Sequence, residues 1–263
     1  MKRLLHAMLK SVLKGMSYVF TGLRLLIQPG IRRFVLIPLA INALLFAAVI
    51  VFGTYAIERQ LERWIPGGWE WLNWIVWPAI AIVMMAIVFF GFSVLANLLA
   101  APFNGWLAAA VESHLRGEEF AALEQRGLVR ETLVLIYSEL RKIAYIALRA
   151  VPCLLLFLIP GIQIAAPFLW FLLGAWLLAL QYLDYPLGNQ GLSFPQQRSV
   201  LSARRLLTLG FGVGTLGITL FPLVNFLAMP CAVAGATALW VEQIKPGMAA
   251  QNSGSLRGGR YAA

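Results

Sequence analysis

Arginines at the start of a long apolar run are the first residues whose type and position suggest chemistry. Arg24, Arg32 and Arg33 precede a stretch without charge that extends to Ile57, and no acidic residue occurs before Glu58. Cations are expected here if they orient the chain in a membrane, and equally if they bind an anion. We favour the first explanation for Arg32 and Arg33, because they directly adjoin the apolar run.

The triplet Gly22-Leu23-Arg24 favours the second explanation for Arg24. It stands between an amphipathic pattern and the next helical run, so we expect a turn there. Glycine lets the backbone approach an oxyanion, N–H groups at a helix start point outward, and arginine adds a forked, charged donor. Such a turn suits a tetrahedral dianion, with Gly22, Leu23 and Arg24 as its binding residues.

Charged residues recur on helical patterns between residues 112 and 149. Glu112 and Arg116 stand four positions apart, so one helix face carries both. The segment ETLVLIYSELRKIAYIALRAVP mixes Glu139, Arg141 and Arg149 with apolar side chains. Two interpretations stay open. The charges lie in water on an amphipathic helix, or they face inward and line a path for an ion.

Catalytic signatures are missing from the sequence. It contains two histidines and no HExxH, GxSxG or Walker A motif, so we expect no enzyme, no cofactor and no metal site. GVGTLG at 212–217 matches GxGxxG, but no strand precedes it and no acidic residue follows about 20 positions later. We interpret its glycines, with Gly210 and Gly214 four apart, as a surface for close helix packing.

Composition assigns the chain to the membrane. Hydrophobic residues make up 60% of the 263 and charged residues 12%, whereas soluble domains carry about 25% charged residues. The net charge of +10 could indicate nucleic acid. However, the basic residues flank apolar runs and form no aromatic-interleaved patch, so we expect no nucleic-acid partner.

Four stretches without charge organise the chain: 34–57, 71–111, 150–183 and 206–241. Crossing a bilayer takes about 20 apolar residues, so we predict transmembrane helices at 34–57 and 74–101. The last two stretches are too long for one span, and their halves of about 15 residues are too short. Each has a central break, at Pro160-Gly161 and Phe221-Pro222. We therefore predict two partly inserted helical hairpins.

The two breaks resemble one another at an offset of 62 residues, as LIPGIQIAAP and LFPLVNFLAMP. A weak internal repeat explains this, and so do two independently kinked helices.

Charge around the spans sets the expected orientation. Residues 1–33 hold seven basic residues and no acid, which places the N-terminus in the cytoplasm. Residues 1–20 alternate apolar and basic faces at helical spacing, as an interfacial amphipathic helix does. We expect one all-α membrane domain over 1–245, with a cytoplasmic helical region at 112–149 and a disordered tail at 246–263.

Five segments carry a resemblance to a known family: TGLRLLIQPGIRRFVLIPLAIN, APFNGWLAAAVE, LRKIAYIALRAVP, LWFLLGAWLLALQYLDYPLGNQGLSF and FPLVNFLAMPCAVAGATALW. They resemble the CysZ family of bacterial sulfate permeases, over about residues 5–242. The resemblance implies proton-linked sulfate uptake through the inner membrane for cysteine synthesis, two long transmembrane helices and two partly inserted hairpins. It also implies sulfate binding at Gly22, Leu23 and Arg24. Position 25 is leucine, so this triplet offers no second adjacent arginine.

We therefore expect a multi-pass sulfate transporter or channel that also contacts membrane lipids. Since hairpins that do not span cannot enclose a pore alone, we expect a homo-oligomer. The alternative is a structural or regulatory membrane protein whose arginines bind anionic lipid. Channel versus proton symport, and selectivity among sulfate, sulfite, thiosulfate and selenate, stay open at this point.

Overall fold

The computed structural model describes residues 2–64, 74–75, 78–80, 82–83, 103–120 and 128–248. These residues form helices and short connections, with no β-strand among them, as the all-α prediction requires. By contacts the chain divides into two compact units, Arg33–Phe103 and the remainder. Each unit is described by itself.

The smaller unit is dominated by one apolar helix. Helix α2 spans Arg33–Trp64, and its first 23 residues, Arg33–Tyr55, are long and apolar enough to cross a bilayer. This confirms the apolar helix predicted at 34–57. The same helix continues through the charged residues 58–63, which were predicted to lie between two spans. Residues 74–75, 78–80 and 82–83 are helical. The rest of the span predicted at 74–101 lies outside the described residues.

The larger unit contains seven further α-helices in its described part. They are α1 (Lys2–Leu26), α3 (104–116 within this unit), α4 (Leu128–Leu155), α5 (Ala166–Asn189), α6 (Phe194–Ala203), α7 (Arg205–Thr219) and α8 (Pro222–Leu239). One π-turn, Trp240–Ile244, extends α8, and helical residues continue to Met248. The described core lies where α1, α5, α7 and α8 pack together.

Glycines bring the backbones of these helices into contact. A Cβ on Gly22 of α1 would overlap the Cys231 carbonyl oxygen of α8, and a Cβ on Gly210 of α7 would overlap the Val12 carbonyl oxygen of α1. A Cβ on Gly214 would come within 3.0 Å of the Met16 carbonyl oxygen. The prediction that Gly210 and Gly214 serve close helix packing is confirmed. Small residues let helices approach closely enough for extensive van der Waals contact.

Helix α1 is longer and more buried than predicted for residues 1–20. Residues 2–10 are all exposed, including the apolar Leu4, Leu5 and Leu9. From Gly15 onwards one face enters the core, and Val19 retains only 1% exposure. The second half of α1 is therefore part of the helix core, because its small and apolar residues pack against α7 and α8.

Both predicted breaks are confirmed. Helix α4 ends at Leu155, two short 3-10 turns follow, and Gly161 takes φ 86° before α5 begins. Helix α7 ends at Thr219 and α8 begins at Pro222. The local structures differ, however, since Pro160 lies in a turn and Pro222 starts a helix. The internal repeat stays a prediction.

Arms of about 15 residues were predicted on both sides of each break; α7, with 15 residues, has this length, but the helices that follow the breaks are longer. Helix α5 has 24 residues, and Leu227–Met248 forms a continuous helix of 22. At about 1.5 Å per residue, both are long enough to cross the hydrocarbon core. Both helices continue past the uncharged stretches because the acidic residues beyond those stretches have polar partners. Asp184 pairs with Lys142, and Glu242 accepts a hydrogen bond from Tyr18. By the same extension residues 246–248 are helical, so the tail predicted from 246 starts too early; residues 249–263 lie outside the described part.

Candidate functional site

The triplet Gly22-Leu23-Arg24 lies in the last turns of α1 and forms no turn of its own. The chain turns after Leu26, where Pro29 and Gly30 follow and Gly30 takes φ 89°. Inside a helix, each N–H bonds to the carbonyl four residues earlier. The expectation of free amides at Gly22 and Leu23 was therefore wrong. Gly22 is buried against Gly235 of α8, so its lack of a side chain serves helix packing.

Arg24 keeps a free guanidinium. Its side chain is exposed in the last turn of α1, and the described residues give it no hydrogen bond or ion pair. A cation at this end complements the partial negative charge of the helix C-terminus. Five N–H donors of Arg24 are thus available to a ligand. Leu23, beside it, is half-buried.

A buried carboxylate organises a second polar group, which we call the Glu112 cluster: Glu112, Arg116, Gln190 and Lys245. Glu112 on α3 is only 8% exposed. Its oxygens accept hydrogen bonds from Lys245 Nζ at 2.9 Å and from Gln190 Nε2 at 3.0 Å, and Arg116 Nε lies 3.4 Å away. The structure thus brings together two predicted path residues, Glu112 and Arg116, and adds two that sequence reasoning missed.

Three chain segments meet at the Glu112 cluster. Gln190 caps the C-terminus of α5, and Lys245 directly follows the π-turn. Single π-turns inside helices occur frequently at functional sites. The one sequence signal for Lys245 was its position, as the first basic residue after Arg205.

The Glu112 cluster joins two cations to one buried carboxylate, with a second, exposed carboxylate at its edge. Lys245 and Arg116 carry two positive charges against the single carboxylate of Glu112, although Arg116 also lies 3.5 Å from the exposed Glu118. A largely buried carboxylate requires such partners, because an unpaired charge away from water is costly. A divalent oxyanion can compete with Glu112 for the same two cations, which is the chemistry that an anion path needs.

The other predicted path residues lie elsewhere on α4. The guanidinium carbon of Arg149 is 5.0 Å from the centre of the Tyr145 ring, and that of Arg198 is 5.2 Å from the same ring. Tyr145 accepts a hydrogen bond from Trp176 Nε1 at 2.9 Å. Arg141 is exposed, and the side chain of Glu139 lies outside the described part. Tyr145 therefore forms a cation–π cluster with Arg149 and Arg198, and this cluster shares no residue with the Glu112 cluster.

Polar contacts also join α1 to the π-turn. Tyr18 Oη donates to Glu242 at 2.8 Å, and Lys14 Nζ donates to Gln243 at 2.8 Å. Burial, reinforced by the bond to Glu242, raises the pKa of Tyr18 above its ordinary value. In the part of the chain that the structure describes, no three His, Cys, Asp or Glu residues are grouped to hold a metal.

Most of the chain matches a known protein family. A family model described as "Sulfate transporter CysZ/Etoposide-induced protein 2.4" matches residues 18–230. The chain belongs to this family. The resemblance noted from the five sequence segments is confirmed. The family match covers Arg24 and Glu112, whereas Lys14 and Lys245 lie beyond it.

Relatives that carry the family name are similar over nearly their whole length. A protein named "Sulfate transporter CysZ" from Pseudomonas paraeruginosa is 40% identical over 238 residues, which cover 88% of this chain and 96% of the relative. Proteins of the same name from Vibrio cholerae and Pseudomonas fluorescens are each 39% identical, over 88% of this chain and 94% of the relative.

Proposed function

We propose that this chain transports sulfate across the bacterial inner membrane and so supplies sulfur for cysteine synthesis. One observation carries the proposal: the 40% identity to a sulfate transporter, which extends over 96% of that relative. The apolar helices Arg33–Tyr55, Ala166–Asn189 and Leu227–Met248 support a membrane protein, since each is long enough to cross a bilayer.

Arg24 is the proposed first contact of the anion. Its exposed guanidinium has no acidic partner among the described residues, so binding sulfate breaks no existing ion pair there. Gly22 contributes by holding α1 against α8, which fixes the helix end that carries Arg24. The amides of Gly22 and Leu23 have no part in this proposal, because the helix already uses them.

The Glu112 cluster is the second proposed sulfate-binding site, which the anion reaches after Arg24. Sulfate that reaches Lys245 and Arg116 displaces the Glu112 carboxylate from them, and a proton taken up by Glu112 neutralises the charge left behind. In this proposal the exchange couples sulfate movement to proton uptake, which distinguishes proton-linked transport from a simple channel. Arg141 and Arg149 remain weaker path candidates, since Arg149 lies over Tyr145 and Arg141 is exposed on α4.

Reconstitution tests the proposed function. Purified protein in liposomes is expected to admit radiolabelled sulfate faster than protein-free liposomes, and faster still when the outside is acidic. Unlabelled sulfite, thiosulfate and selenate in excess then report selectivity. Uptake that ignores an imposed pH gradient would indicate a channel, and uptake no faster than in protein-free liposomes would reject sulfate transport.

A lipid-binding scaffold is the second candidate. The exposed Leu4, Leu5 and Leu9 on α1, beside Lys2 and Lys10, suit an anionic membrane surface. A scaffold of this kind gives no sulfate flux in the same liposomes. The transporter is favoured because the relatives with which it shares most of its length carry that name.

We further propose a single membrane domain over 1–245, a cytoplasmic N-terminus and a homo-oligomeric assembly. Seven basic residues and no acid precede α2's apolar stretch, which supports the orientation. Crosslinking in native membranes measures the assembly, and a monomer under those conditions would contradict it.

A further inference from the structure

An unassigned cavity lies between the first half of α1, the start of α7 and the π-turn. Its volume is about 670 Å³, and its polar lining includes Ser11, Lys14, Arg204, Arg205 and Gln243. Lys14 is ten residues before Arg24 on α1, which is about 15 Å along the helix. The cavity is therefore distinct from the proposed sulfate contact at Arg24.

Positive charge dominates this cavity. Among the residues that the structure describes, its lining has three cationic side chains and no carboxylate. Lys14 donates to the neutral Gln243 at 2.8 Å, and Arg204 lies against the backbone of Gly247. Within the described residues neither Arg204 nor Arg205 has an ion pair. The neighbouring carboxylate, Glu242, is already bonded to Tyr18. All three cations are exposed, and with no acid among the described lining residues they attract an anion to the cavity.

The start of α7 adds donors to the same cavity. Residues 205–207 are the first three of this 15-residue helix, and they line the cavity. Their N–H groups have no carbonyl partner inside the helix, and the N-cap residue Arg204 makes no side-chain capping bond. The partial positive charge at the start of the helix adds to the attraction that the three cations exert on an anion.

We propose that this cavity binds a tetrahedral oxyanion, held by Lys14, Arg204, Arg205 and the first amides of α7. Both a free sulfate or phosphate ion and the phosphate of an anionic lipid headgroup have this chemistry. The lipid source is accessible because Met8, which also lines the cavity, is continuous with the exposed apolar face of α1. The site stands whether or not Arg24 binds sulfate.

Binding to full-length protein in detergent tests the site. One arm measures affinity for inorganic sulfate and phosphate by calorimetry. The other titrates dioctanoyl-phosphatidylglycerol, with dioctanoyl-phosphatidylcholine as reference, and counts bound lipid by native mass spectrometry. The test variant is Arg204→Ala with Arg205→Ala. The matched control is Arg32→Ala with Arg59→Ala, which removes two exposed cations that lie outside α1 and do not line the cavity.

The test variant is expected to lose about tenfold or more in affinity for at least one probe, with the control unchanged, since charge-assisted bonds are lost. Loss for sulfate or phosphate identifies a free oxyanion, and loss for phosphatidylglycerol alone identifies a headgroup. Equal weakening in both double variants, or no weakening in either, overturns the site. If the test variant elutes as an aggregate, Lys14→Met replaces it, with a several-fold loss expected and unchanged affinity contradicting the site. If Arg24→Ala loses sulfate binding, that outcome concerns the proposed site at Arg24 and does not change the test of the cavity.

Discussion

The ammonium of Lys245 lies 2.9 Å from a carboxylate oxygen of Glu112, although 133 positions separate the two residues in the chain. This ion pair connects the helical residues after the π-turn to α3. Gln190, at the end of α5, donates a hydrogen bond to the same carboxylate. The pair therefore holds three chain segments together while keeping a carboxylate inside the protein.

Lys245→Ala is expected to destabilise the protein. The change leaves Glu112, at 8% exposure, with fewer partners. Because the Lys245 side chain is 30% exposed, water replaces part of the lost interaction, and we expect a cost of about 1–2 kcal/mol. Thermal unfolding in detergent measures it, with Lys10→Ala as an exposed control. An unchanged unfolding midpoint would show that the pair contributes no stability.

Glu112→Gln is expected to uncouple sulfate uptake from the proton gradient. Glutamine keeps the size of the side chain and an oxygen for Lys245, but it carries no charge and takes up no proton. We therefore expect uptake in liposomes to persist and to lose its stimulation by an acidic outside. The exposed Glu118→Gln serves as control. Unaltered stimulation in Glu112→Gln would place proton coupling at another residue.

Gly22→Ala is expected to separate α1 from α8. Its Cβ meets backbone atoms of Cys231 and Gly235, which cannot move aside as a flexible side chain can. Overpacking of this kind costs about 1–3 kcal/mol. Gly217 is also helical but has open space at its Cβ, so Gly217→Ala is expected to be neutral or stabilising by up to about 1 kcal/mol. Equal unfolding midpoints for the two variants would refute the packing role of Gly22.

Arg24→Ala is expected to weaken sulfate binding while Arg32→Ala leaves it largely unchanged. A charge-assisted hydrogen bond contributes about 1.5–3 kcal/mol, so the dissociation constant should rise roughly ten- to a hundredfold. Arg24→Lys should be intermediate, because lysine keeps the charge but loses the fork. Calorimetry on folded, detergent-solubilised variants measures this. Equal losses at both positions would indicate a diffuse positive field instead of a site.

Thiol labelling tests the predicted hairpins. In a background without Cys153 and Cys231, single cysteines at Gln163 and Phe221 occupy the exposed breaks between α4 and α5 and between α7 and α8. If the hairpins return to the cytoplasm, an impermeant reagent outside intact cells should not label them. A cysteine at Arg59, expected outside, is the positive control. Labelling at both breaks would mean that the helices cross the membrane.

Local features of this fold could be predicted from the sequence. Pro160-Gly161 and Phe221-Pro222 mark the two breaks, because proline lacks a backbone donor and glycine permits positive φ wherever they occur. The apolar helix at 34–57 followed from composition and length alone. The spacing of Gly210 and Gly214 indicated a packing surface, and α1 fills it.

The predicted turn at residues 22–24 was wrong because glycine serves two different purposes in proteins, ligand approach and helix packing. Glycine and arginine at 22 and 24 suit an anion-binding turn, yet the first proline of the chain is Pro29, so α1 continues to Leu26. Gly22 is small because Gly235 of α8 lies against it. That partner is 213 positions away, and no local pattern distinguishes a glycine needed for a ligand from one needed for another helix.

What the sequence by itself determined was the all-α, membrane-type character of the chain and the places where its helices break, because hydrophobic composition and backbone geometry act locally. Only the tertiary structure decided which charges meet. Glu112 had a visible neighbour in Arg116, but Lys245 reaches it through the packing of α3, α5 and the π-turn. Lys14, Arg204 and Arg205 come to line one cavity in the same way, through contact between α1 and α7. Electrostatic energy depends on distance in space, and spacing along the chain sets that distance only within a single helix.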